Sequence, residues 1–153
     1  MAERTEDDVA RVYAAERTRL VRLAYLMTGS REAAEEVVHD AFARTHARWA
    51  GIEEPAPYLR VTVVNLCQTW RRRAVLERER TPRPPRDHVP PPEVDETWEL
   101  LERLPPDQRV ALVLRYYEDL PFDEVARIVG CPPATVRTRV HRALLRLRRE
   151  MTP

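Results

Sequence analysis

Apolar side chains recur three, four and seven positions apart through most of this chain, and the places where that rhythm fails divide it into helices. From Asp7 to Met27 the apolar positions are Val9, Val12, Tyr13, Leu20, Leu23, Ala24 and Met27, the spacing of one buried helical face. Thr28-Gly29-Ser30 stops that helix, and Ser30 is placed to cap the next, because its hydroxyl can accept from a free N–H of the first turn. The second helix, Arg31 to about Trp49, has a core side of Ala34, Val37, Val38, Ala41 and Phe42. Its acidic flank is Glu32, Glu35, Glu36 and Asp40, with no cation among them. Ala50 to Pro57 breaks the pattern as an exposed turn. A third helix, Tyr58 to Leu76, then interleaves Tyr58, Val61, Val64, Asn65 and Trp70 with Arg60, Arg71, Arg72 and Arg73.

Thr81 to Asp95 has no helical period and holds six prolines in fifteen residues, which marks a linker stiffened toward a polyproline-like path. Extended at about 3.1 Å per residue it reaches roughly 45 Å, more than one duplex turn of about 34 Å. Beyond it, Glu96 to Leu104 predicts a short helix with Trp98, Leu101 and Leu104 inward. Pro105-Pro106-Asp107 starts another, with a core side of Val110, Ala111, Val113, Leu114 and Tyr117. Val125, Ile128 and Val129 give one face of a further helix over Phe122 to Val129. Gly130 ends it, and Cys131-Pro132-Pro133 turns the chain into a last helix with the stripe Val136, Val140, Ala143, Leu144 and Leu147. Two helices around so sharp a turn, with the small Ala126 between them, form a helix-turn-helix pattern.

Charge sharpens this picture. The formal net charge is only +1, yet Val125 to Pro153 holds seven Arg against one Glu, while Glu96 to Glu124 holds three Arg against eight acids. The last helix is therefore a local cationic surface suited to a partner that reads one face. At 100° per residue, Thr135, Arg139, Arg142, Arg146 and Arg149 fall within about 80° of one another, on the side away from the apolar stripe. Such a ridge fits a major groove, where arginine pairs with guanine edges and neutralises phosphates. The third helix suits single strands instead, since bases stack on rings while cations follow the backbone. Asn65, an amide in an apolar stretch, either braces the backbone or reads a base edge.

Other chemistry is weakly supported. Cys67 and Cys131 stand alone, without CxxC spacing or a histidine cluster, and read as packed thiols. Glu36-Val37-Val38-His39 has the Glu-x-x-His step of di-iron bundles, but no second copy accompanies it. No metal or cofactor is expected. Met1 to Val9 is polar and acidic and no apolar run approaches a membrane span, so a cytoplasmic chain without membrane insertion is expected.

Three segments in this order, AYLMTGSREAAEEVVHDAF, PYLRVTVVNLCQTWRRR and LERLPPDQRVALVLRYYEDLPFDEVARIVGCPPATVRTRVHRALLRLR, resemble the extracytoplasmic-function (group IV) sigma factors of bacterial RNA polymerase. Within that family the chain looks most like the actinobacterial sigma-E-like branch. The resemblance implies an all-α fold of two small helical domains joined by the Pro-rich linker: a sigma-2 helical bundle over residues 1–78, a linker over 79–95 and a sigma-4 helix-turn-helix over 96–153. It implies a non-enzymatic subunit that binds core RNA polymerase and directs promoter-specific initiation. Its partners are then the β′ clamp helices, the β flap, promoter DNA and, in the manner of the family, an anti-sigma factor. By resemblance, Glu35, Glu36, Val37, Asp40 and Phe42 dock on polymerase. Trp49, Tyr58, Asn65, Trp70, Arg71, Arg72 and Arg73 engage the −10 element, and the region of Trp49 to Pro57 with Asn65 takes a flipped base. Thr135, Arg137, Arg139, Arg142 and Arg146 read the −35 element. Three positions depart from the family pattern: Ser30 replaces an acid, His39 a glutamine, and Pro132 a serine that normally caps the recognition helix. A stand-alone helix-turn-helix regulator, or a sigma-like interaction protein that does not initiate, is the alternative; the regulator has no use for the acidic flank or the aromatic-arginine helix, and the interaction protein would bind a partner but open no promoter.

Overall fold

Thr5 opens the first helix: the Asp8 carboxylate accepts the Thr5 N–H at 2.8 Å, and the Asp8 N–H bonds the Thr5 carbonyl at 3.0 Å. This helix, α1 (Glu6–Thr28), ends at Gly29, whose φ of 69° suits a residue without Cβ. Ser30 starts α2 (Arg31–Ala47) by accepting the Ala33 N–H at 3.2 Å. A 3₁₀ turn (Trp49–Gly51) leads to α3 (Pro55–Arg80). The computed structural model describes residues 5–80, 90–94 and 96–152, and the chain divides into two units between Glu93 and Val94.

In the first unit α1, α2 and α3 pack on one another around Leu20, Leu23, Tyr25, Met27, Ala34, Ala41, Leu59, Val63 and Cys67. The buried part of α1 begins at Leu20; Val9 and Val12 are only half-buried and Tyr13 is exposed. Every residue from Leu23 to Met27 is buried, so the end of α1 is enclosed on all sides and the one-face rhythm is lost there. Helix α3 runs through residues 79 and 80, which the sequence assigned to the linker. Residues 81–89 and 95 of the expected polyproline path lie outside the described residues. Pro90 to Glu93 are not free spacer: Pro91 is buried, and the Glu93 carboxylate takes Arg17 at 2.7 Å. Arg22 also donates to the Glu93 backbone carbonyl.

The second unit has α4 (Thr97–Glu102), α5 (Pro106–Leu112) with a wide π turn (Val113–Tyr117), α6 (Phe122–Val129) and α7 (Pro133–Met151). Its core is Trp98, Leu101, Leu104, Val110, Ala111, Leu114, Val125, Val136, Val140 and Ala143. Arg109 is buried with its guanidinium 5.2 Å over the Trp98 ring. Asp119, at φ 56°, turns the chain from the π segment toward α6. Tyr117 is half-buried, not core. Leu144, expected in the buried stripe of α7, is 43% exposed, because at 100° per residue it lies about 70° round the helix from the centre of Val136, Val140 and Ala143; Leu147 is half-buried. The Arg103–Glu150 ion pair joins the end of α7 to the end of α4.

Candidate nucleic-acid interfaces

The outer side of α2 is acidic but not unopposed. Glu35 pairs with Arg31 at 3.1 Å and Asp40 with Arg44 at 3.2 Å, each one turn away along the helix. Arg44 escaped the sequence reading because it lies just past the acidic run, although the i, i+4 step from Asp40 was there to find it. Glu36 is exposed and has no ion pair among the described residues. Exposed pairs of this kind contribute about 1 kcal/mol or less, so a partner's cations can replace them at little cost. Val37 is 7% exposed and lies beneath this face, not on it: its side chain fills the contact with the neighbouring helices. Phe42 is half-buried, its ring 4.6 Å from Tyr13.

Between the end of α2 and the first half of α3 opens a cleft of about 510 Å³, lined by Arg44, Ala47, Arg48, Tyr58, Thr62, Asn65, Leu66 and Thr69. Tyr58, Thr62, Asn65 and Thr69 are spaced four, three and four apart and so share one helical face. The two threonine hydroxyls turn back on their own helix, bonding the Tyr58 carbonyl at 2.8 Å and the Asn65 carbonyl at 3.0 Å. The Asn65 amide is exposed and makes no hydrogen bond among the described residues, so it does not brace the backbone. The cleft thus presents a ring, a free amide and the guanidiniums of Arg44 and Arg48, which can stack on, hydrogen-bond to and neutralise a nucleotide. Arg48, which the sequence reading missed, closes α2.

Other expected −10 residues lie outside this lining. Trp49 sits half-buried on the 3₁₀ turn and Trp70 half-buried further along α3. Arg71 donates to Gln68 at 3.0 Å, while Arg72 and Arg73 are exposed. Arg60 is spent in a two-pronged pair with Glu16, at 3.0 and 3.3 Å.

Helix α7 starts without a side-chain cap, as Pro132 requires: the Thr135 and Val136 N–H groups both bond the Pro132 carbonyl, at 3.0 and 3.3 Å. Its buried stripe is Val136, Val140 and Ala143. At 100° per residue the arginine ridge lies about 110° from that stripe, on a flank and not opposite. Accordingly Thr135 and Arg139 are half-buried, with Arg139 Nη1 3.7 Å from Cys131 Sγ, while Arg142 and Arg146 are exposed. Arg137 lies on the other flank, its guanidinium 5.3 Å over the Phe122 ring. Directly outward are Thr138, His141 and Leu145, all exposed; rotating half a turn from the buried triad would have identified them.

The comparisons with known proteins cover both units. Residues 12–76 match the family described as Sigma-70 region 2, and residues 95–147 match Sigma-70, region 4. The RNA polymerase sigma-E factor of Streptomyces coelicolor is 35% identical over 126 residues, covering 77% of this chain and 71% of that protein. Among solved structures, the extracytoplasmic function sigma factor SigJ of Mycobacterium tuberculosis is 29% identical with a TM-score of 0.65, over 90% of this chain and 53% of that one. The sigma factor RpoE of Bartonella quintana, solved with the anti-sigma factor NepR, shares the fold at 21% identity and a TM-score of 0.62, over 94% of each chain.

Proposed function

Because this chain belongs to the sigma-70 family, in its extracytoplasmic-function group, and so directs transcription initiation by RNA polymerase, we propose that its three surfaces divide the work along one promoter. The acidic side of α2, through Glu35, Glu36, Asp40 and Phe42 over a buried Val37, docks on the β′ clamp helices. The cleft at the α2–α3 junction takes a base flipped out of the −10 strand. Trp49, Trp70 and Arg71 to Arg73 contact the rest of that strand, and α7 reads the −35 duplex through Arg137, Arg139, Arg142 and Arg146 with Thr135. The second unit also meets the β flap, and an anti-sigma factor is the family's usual inhibitor. This work is done on chromosomal DNA in the cytoplasm, and it assigns no bond-making chemistry to the chain.

The cleft carries the reading most directly. Flipping a base costs a few kcal/mol of unstacking, and aromatic stacking returns about 1–3 kcal/mol per base. A pocket that combines the Tyr58 ring, the unengaged Asn65 amide and two arginines is built to offset that cost. Run-off transcription with core polymerase and a library of upstream fragments tests the whole. Starts that need both proteins, preceded by two shared motifs, are expected. Binding to core without starts would favour a sigma-like interaction protein, and no binding to core a stand-alone regulator. Asp40→Ala should weaken core binding while leaving thermal unfolding within about 0.5 kcal/mol of the parent.

A further inference from the structure

Phe122, the first residue of α6, carries two cations. The Arg115 guanidinium lies 5.1 Å from its ring centroid and the Arg137 guanidinium 5.3 Å. Arg115 is tied down independently, to Asp119 at 3.7 Å and to the Leu120 carbonyl at 3.4 Å. Arg137 is exposed on the first turns of α7 and has no ion pair among the described residues, so the ring is what holds it. An aromatic face attracts a cation through its quadrupole. It also limits the rotamers of a side chain that otherwise loses much freedom on binding.

We propose that Phe122 is a positioning and specificity residue for −35 recognition: its ring holds the Arg137 guanidinium at the flank of α7 in the orientation that meets the DNA. The inference rests on the reading that α7 engages the −35 duplex through Arg137. Phe122 lies on α6, outside both the arginine ridge and the outward face of α7, and its role runs through the arginine it holds.

A double-mutant cycle on the full chain, bound to core polymerase and measured on promoter duplex, tests this. Phe122→Leu should weaken binding about threefold, the scale of an exposed cation–π contact. It should add nothing in an Arg137→Ala background and keep its full effect in an Arg142→Ala background. Phe122→Trp, which keeps a ring, should restore affinity. The salt dependence should be the same for Phe122→Leu and the parent, because no charge is removed. An equal loss in both arginine backgrounds, or no loss from Phe122→Leu while Arg137→Ala weakens binding, overturns the proposal. If Arg137→Ala itself binds like the parent, the assignment of Arg137 to the −35 element fails, and the role of Phe122 with it. Phe122→Met, with bulk but no ring, carries the same cycle if the leucine variant does not fold.

Discussion

Cys67 and Cys131 are both free thiols, yet the fold separates their reactivity. Burial pushes the Cys67 thiol far above its ordinary range, and the nearby Arg71 charge only partly opposes it; Cys131 is half-exposed at the turn before α7. Alkylating the native protein should therefore give one adduct, on Cys131, and a second only in denaturant. Mass spectrometry decides it, and rapid modification of Cys67 in the native state would mean that α3 is loosely held. The sequence treated the two cysteines alike, because burial of a lone thiol depends on which helices meet there. Asn65 carried two readings in the sequence, a backbone brace or a base reader, and the first could be set aside only once its neighbours were placed. Val37 shows the opposite failure: it lies among acids in the sequence and beneath them in space.

At the scale of elements, the turn between α6 and α7 is the most constrained. Gly130 stands at φ 76° and ψ 40°, and its N–H and that of Cys131 both bond the Ala126 carbonyl, at 2.9 and 3.2 Å. A Cβ there is disfavoured by left-handed backbone. Gly130→Ala should cost about 1–2 kcal/mol in thermal or denaturant unfolding. It should also lower −35 duplex affinity by moving the start of α7. The positions of the helices were readable because their apolar rhythm, caps and glycine stops are local. The run of α3 to Arg80 and the π turn at Val113–Tyr117 carry no such local signal. The rotational setting of α7 was misjudged for a related reason. Periodicity shows that a stripe exists, but the packing of α7 on its neighbours sets how wide a stripe is covered, and Leu144, at its edge, is left out.

For the molecule as a whole, a division into two units was visible in the proline-rich break, while the return of Glu93 to Arg17 of α1 was not. Glu93 is held by Arg17, whose hydrogen bond keeps its carboxyl below the usual range against the opposing effect of burial. A carboxyl with a lowered folded-state pKa contributes fully above its ordinary value, and the contribution drains as pH falls through the lowered one. The clasp on α1 should thus persist at neutral pH and open only in acid. Glu93→Ala, which removes the acceptor for Arg17 and leaves only the Arg22 bond to the backbone, should weaken it at any pH, seen as a broader distance distribution between spin labels next to residue 93 and on α1. Three residues separate a clasped Glu93 from α4, against sixteen between the end of α3 and α4. Effective concentration depends on whether a tether still spans the two sites it serves, so a clasped Glu93 leaves the two units a shorter reach than the free linker would. A single carboxylate, held by Arg17 of α1, would then limit the tolerated spacing between promoter elements without touching a base.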